Sequence, residues 1–159
     1  MADNDFGDEE VQDLFDKIQS FALSSARFDA VNTHEPKNSP GNGVSMSLWV
    51  QDIRPVRTSG LNSTSALLVL MGRIYTSMTA EPYDLIDPNV LSATVYFIGA
   101  LSGEFELGGE DGVRMIDLLG ANGEQLAGRA GYVEIDRKMY RVMTITIPII
   151  INDMWSQER

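Results

Sequence analysis

The chain has no cysteine and a single histidine, His34. The first absence excludes thiol catalysis, thiolate metal sites and disulfides. The second removes most acid/base and transition-metal schemes that depend on imidazole. Basic residues are scarce as well: 12 Lys and Arg stand against 23 Asp and Glu, a formal net charge of -11. Affinity for nucleic acid comes mainly from clustered cations on phosphates, so this balance argues against a DNA- or RNA-binding protein. Long apolar runs are missing too, because no stretch approaches the roughly 18 uninterrupted apolar residues of a membrane span. The first residues, MADNDFGDEE, are acidic where a secretory signal would be basic. These absences lead us to expect a protein made and kept in the cytoplasm, with no cofactor, no metal and no membrane partner.

What is present amounts to one domain, since 159 residues suffice for a single core. Asp3, Asp5, Asp8, Glu9, Glu10, Asp13 and Asp16 hold seven of the 23 acids. We read residues 1–7 as a disordered acidic terminus and residues 8–159 as the domain. Val11, Leu14, Phe15, Ile18, Phe21 and Ala22 recur at helical spacing and predict an amphipathic helix over residues 8–25. A short β-like piece at residues 28–33 precedes residues 34–43, HEPKNSPGNG, a long loop rich in turn-forming residues. Val44, Met46, Leu48 and Val50 alternate with polar neighbours and predict a half-buried strand to about Arg54. Residues 64–77 predict a central strand, apolar on both faces between Ala66 and Met71, with Gly72 marking a bulge or a close backbone approach. The two strands could form a long antiparallel hairpin with its tip near Leu61-Asn62-Ser63.

Asp87-Pro88 is a helix-start signal and Gly103 a stop, with Val90, Leu91, Thr94, Phe97, Ile98 and Leu101 as the buried stripe. Residues 105–107 and 113–119 are short β-like pieces. The order helix, strands, helix, strands predicts an α+β domain: a largely antiparallel or mixed sheet flanked by two main helices.

Residues 131–155, GYVEIDRKMYRVMTITIPIIINDMW, hold two β-type runs around a polar turn at Asp136-Arg137-Lys138. Met143, Ile145, Ile147, Ile149 and Ile151 share one face at period two, and Pro148 interrupts the run. Because proline cannot donate to a ladder, we expect a strand that is an edge or leaves its sheet there, and an open apolar edge needs a cover. That cover is either another copy of the chain or a helix or loop of the same subunit. On the first alternative Ile147, Ile149 and Ile151 lie at or directly beneath a subunit boundary, and Ile149→Asp should give a folded chain that fails to assemble.

The chain offers few candidates for chemistry. There is no phosphate-binding glycine loop, and Gly108-Gly109-Glu110-Asp111-Gly112 lacks the strand-to-helix setting of a dinucleotide fingerprint. Asp3-Asn4-Asp5-Phe6-Gly7 matches only part of a calcium loop. Glu104 and Glu106 would point to one side if Phe105 lay in a strand, a geometry open to acid/base work, but nothing nearby would fix their roles and a solvated face is the better reading. Arg54, Arg57 and Arg73 could gather as an anion site on adjacent strands, or pair with the excess acids.

Three collinear segments, HEPKNSPGNGVSMSLWVQDIRPVRTSGL, RIYTSMTAEPYDLIDPNV and GYVEIDRKMYRVMTITIPIIINDMW, resemble the tail terminator proteins of long, non-contractile-tailed phages of actinobacteria. The likeness covers residues 11–155. It implies a small α/β subunit of a homohexameric ring on the head-proximal end of the tail tube, assembled in the host cytoplasm. Such a ring stops tube growth, presents a joining surface to the neck proteins of the filled head, and lets genomic DNA pass without binding it. The family carries no catalytic residues to transfer. His34, Lys37, Asn38, Arg57 and Leu61, in the two loops around residues 34–43 and 55–63, are the expected contacts to tube or neck. The alternatives are a head-tail connector or stopper and, from another class, a small cytoplasmic enzyme or ligand-binding domain built on His34, Glu104 and Arg73.

Overall fold

In a computed structural model that describes residues 5–24, 27–33, 43–56, 63–78, 86–107, 114–121 and 123–156, the expected amphipathic stripe forms the first helix, α1 (Asp5–Ser24). Leu14, Ile18 and Ala22, one turn apart on one face, are fully buried, and Val11 and Phe21 pack beside them. The helix begins at Asp5, inside the stretch read as disordered. A three-residue strand, β1 (Ala30–Asn32), runs parallel to the start of β2 (Ser45–Val56). β2 then pairs antiparallel with β3 (Ser63–Ser77), as the hairpin reading required. The irregularity in this pair falls between Val50 and Asp52, so the bulge lies on β2 and not at Gly72. Gly72 serves the other expected purpose, because a Cβ there would come within 3.1 Å of Leu48 Cδ2.

Helix α2 (Ile86–Gly103) buries Ile86, Val90, Ala93, Thr94, Phe97 and Leu101. Leu91, expected in this stripe, is exposed instead. It follows Val90 by one residue, hence about 100° round the helix, and Ala93 takes the inward position. The buried Thr94 hydroxyl donates to the Val90 carbonyl oxygen at 2.7 Å. Phe97 meets Phe28 edge to face with centroids 6.4 Å apart, tying α2 to the segment after α1. Residues 104–107 are a turn, not a strand, with Leu107 at positive φ. β4 (Arg114–Ile116), β5 (Ala127–Ile135) and β6 (Lys138–Ser156) complete the chain.

The fold is a single α+β domain: two helices and a mixed, mostly antiparallel six-stranded sheet curled into a half-barrel. The order is β1-β2-β3-β6-β4, with β5 also on β6. The edge-strand expectation for the last strand is therefore wrong. β6 pairs with β3 along one flank, while its other flank is shared by β5, reaching Thr146, and β4, opposite Ile149 to Ile151. Pro148 sits at the changeover between them. In a strand the N–H and C=O of one residue point to the same flank. The Pro148 carbonyl accepts from the Asp117 N–H at 2.9 Å on the β4 side, so the missing donor also faces the gap between β4 and β5. No ladder bond to β3 is lost, and a central strand tolerates this proline.

Ile145, Ile147, Ile149 and Ile151 join Met46, Leu48, Leu68, Leu70 and Ile74 in one core beneath α1 and α2. Ile147 and Ile149 are 0% exposed and Ile151 3%, so the cover comes from the chain's own helices. These side chains have no surface left to offer a second copy.

Candidate functional site

Two features of the sheet remain uncovered. The first is its pair of edges. β1 reaches only Ser47 of β2, and no strand among the described residues pairs with that flank from Leu48 to Val56. Likewise β5 pairs only with β6. Beside each open edge, on the helix-bearing side, apolar side chains are exposed. Val50 and Ile53 flank β2 at 43% and 44% exposure, and Tyr132 on β5 is 58% exposed. Near β5 the outward face of α2 adds Leu91 and Val95, one turn apart, at 57% and 64%. Arg141 fastens this corner, donating from Nε to Asp87 at 3.0 Å while its guanidinium lies 4.5 Å from the centre of the Tyr132 ring. Asp87, read as a helix cap, is thus engaged from the sheet.

The second feature is the sheet face turned away from the helices. Small apolar clusters close its two ends: Leu67, Val69 and Ile150 at one, Tyr75, Tyr140 and Val142 at the other. Between them the face is polar. Ser47, Arg73, Thr144 and Arg129 lie directly opposite one another on β2, β3, β6 and β5. Arg73 and Arg129 line one cleft of about 450 Å³, with Thr144, Thr146 and Met71 on its floor. Arg73 donates from Nε to Thr144 Oγ1 at 3.0 Å, and its guanidinium lies 5.5 Å from the centre of the Trp49 ring. Arg129 is exposed, and its side chain makes no hydrogen bond or ion pair among the described residues.

The candidates from the sequence distribute unevenly over this geometry. Of the three arginines considered together, Arg54 is paired with Asp52 at 2.6 Å, Arg57 lies outside the described residues, and Arg73 alone faces the cleft. Its companion there is Arg129, which the motif search passed over. Turn counting could have found it: a two-residue turn at Asp136-Arg137 places Arg129 opposite Thr144. Glu104 is exposed in the turn after α2 and Glu106 is half-buried there, so no strand aligns them. His34, Lys37, Asn38 and Leu61 lie outside the described residues, as do the glycine-rich residues 108–112. Ile147, Ile149 and Ile151 belong to the core, as above. Among the described residues no group of three or more His, Asp or Glu is placed to hold a metal ion, and no helix is long and apolar enough to cross a membrane. No family model matches the chain, and no curated protein matches it.

Proposed function

We propose that the chain is a structural subunit that joins copies of itself into a ring, and that the ring is a phage tail terminator at the head-proximal end of a tail tube. The observation that carries the ring is the pair of unlike open edges, each flanked by exposed apolar side chains. Soluble proteins usually blunt such edges with charge, proline or a covering element. Here Pro55 and the Asp52–Arg54 pair do so only in part on β2, and Val50 and Ile53 remain bare. Two different edges on one sheet suit a head-to-tail contact, the β2 edge of one copy against the β5 edge of the next. A heterologous contact of that kind closes into a ring when its rotation permits. The segments that resemble tail terminators direct the ring to the tail tube, with neck proteins on its other side. A net charge of -11 suits a passage through which DNA slides without adhering.

The absence of cysteine makes the contact easy to test. Ile53→Cys and Tyr132→Cys place one thiol at each edge. Oxidising the double variant in the presence of tail tubes should give a ladder of covalent multimers ending at the ring size, and either single variant at most dimers. A double variant that stays monomeric on tube ends would eliminate the edge-to-edge ring. Negative-stain images separate the two virion readings: a terminator caps purified tubes, whereas a connector or stopper binds the neck of filled heads and leaves tube ends bare.

A further inference from the structure

The polar cleft on the sheet face away from the helices is not needed for a ring, and its composition is unusual for this chain. Acids outnumber bases 23 to 12, and several of the described arginines pair with an acid. Arg54, Arg114 and Arg141 have each found one, in Asp52, Asp13 and Asp87. Among the described residues Arg73 and Arg129 pair with none, although they share one cleft, and no acid is among the described residues that line it. We propose that this cleft is a binding site for a doubly charged phosphate group, either inorganic phosphate or a phosphomonoester.

Three observations support that chemistry. The two arginines stand two strands apart on either side of Thr144, so their Cα atoms are separated by about 10 Å, twice the interstrand spacing. Long side chains from both sides can close on a group held above the threonine. Next, Arg73 is already oriented. Its Nε is committed to Thr144 Oγ1 and its guanidinium lies beside Trp49, which among the described residues leaves the two terminal nitrogens to present a fork. Since Thr144 Oγ1 accepts from Arg73, its own hydrogen is free to donate into the cleft. Finally, two guanidiniums and a hydroxyl supply two positive charges and several donors, and the acids nearest along the sheet, Asp52 and Glu124, line the adjoining cleft beyond Met71 and Thr146. That set balances a dianion better than a single carboxylate. The volume of about 450 Å³ exceeds what a bare phosphate fills and leaves room for a small carrier.

Titration calorimetry on the purified protein in low-salt chloride buffer, with inorganic phosphate, a nucleoside monophosphate and acetate as probes, tests the site. Phosphate should bind with one site per chain, and acetate at least about tenfold more weakly, as expected when charged hydrogen bonds are lost. Arg129→Gln, at an exposed position that leaves the fold intact by circular dichroism, should weaken phosphate binding about tenfold or more. Arg73→Gln should do the same, and Arg54→Gln, which removes a cation already paired, should change nothing. The nucleoside monophosphate separates the sources: binding tighter than inorganic phosphate identifies a carried phosphomonoester, and equal or weaker binding identifies free phosphate. Phosphate binding that is absent in the wild type, matched by acetate, or indifferent to Arg129→Gln would overturn the assignment. None of these outcomes depends on whether the chain forms a ring.

Discussion

Ile149 shows how much a residue's meaning depends on what covers it. Read from the pattern alone, it belongs to an edge and its replacement by Asp should spare the fold. In the structure it is 0% exposed beneath two helices, opposite Leu68 on one flank and Ile116 on the other. Ile149→Asp now places an unpaired carboxylate in an apolar core and removes a buried side chain worth roughly 1.5 to 3 kcal/mol. The combined loss of about 5 kcal/mol or more is comparable with the whole stability of a small domain. The expected result is an unfolded protein in circular dichroism, and a folded variant would contradict the core position. The turn of the last hairpin allows a change in the opposite direction. Asp136 and Arg137 have φ of 50° and 66°, a conformation in which two L-residues are strained. Replacing them with Asn and Gly should stabilise the protein by about 1 kcal/mol, seen as a higher urea midpoint with an unchanged slope.

Among the elements, β4 has three residues, as β1 does, yet one of its side chains ties two other parts of the chain together. Arg114 is buried, donates to the Leu107 carbonyl at 2.6 Å and to that of Glu106 at 3.4 Å, and pairs with Asp13 of α1 at 2.7 Å. It thus satisfies carbonyls of the turn after α2 while holding α1 to the same corner. Asp13 is half-exposed, so most of the benefit comes from the carbonyl bonds and not from the ion pair. Arg114→Ala should cost about 2 to 3 kcal/mol, because the buried acceptors lose their donor. Equilibrium unfolding would measure this, and a loss near zero would show that water replaces the guanidinium. α2 offers a contrasting case. Its inward face is fully engaged, while Leu91 and Val95 face outward beside the β5 edge. Leu91→Arg with Val95→Arg should leave the unfolding midpoint within about 0.5 kcal/mol of the wild type, as exposed changes do. On the ring reading the same variant should fail to assemble on tubes, and normal capping by it would move the interface away from α2.

At the scale of the molecule, the two helices cover one face of the sheet and leave the other face and the outer flanks of β2 and β5 without a helix or strand among the described residues. A ring built edge to edge would place the polar face of every copy in the same position relative to its axis. The physical consequence for a virion follows from growth at a free end. A tube without its terminator still presents the surface to which the next tube subunit adds. On the terminator reading, cells infected with phage lacking this protein should accumulate heads and unjoined tubes of irregular or excessive length by electron microscopy. Tails of normal length already joined to heads in such a mutant would rule the terminator out. Duplex DNA should bind more weakly than micromolar at about 150 mM salt, since a formal net charge of -11 repels phosphates.

Much of this architecture was legible in the chain because it depends on near neighbours. Helical spacing at Leu14, Ile18 and Ala22 and period two along residues 143–151 come from covalent geometry, which fixes which side chains share a face. A two-residue turn likewise fixes the β5–β6 register, and with it Arg129 opposite Thr144. What the pattern does not encode is which strand lies beside which. Several apolar strands compete for each flank, and the choice rests on contacts between residues far apart in sequence. Pro148 announced a missing donor but not the flank it faced, and only the arrival of β4 and β5 on the same side of β6 made that strand central. The cleft has the same origin. Arg73 reaches Thr144 across 71 residues, a meeting that no local spacing predicts and that the packing of β3 against β6 alone brings about.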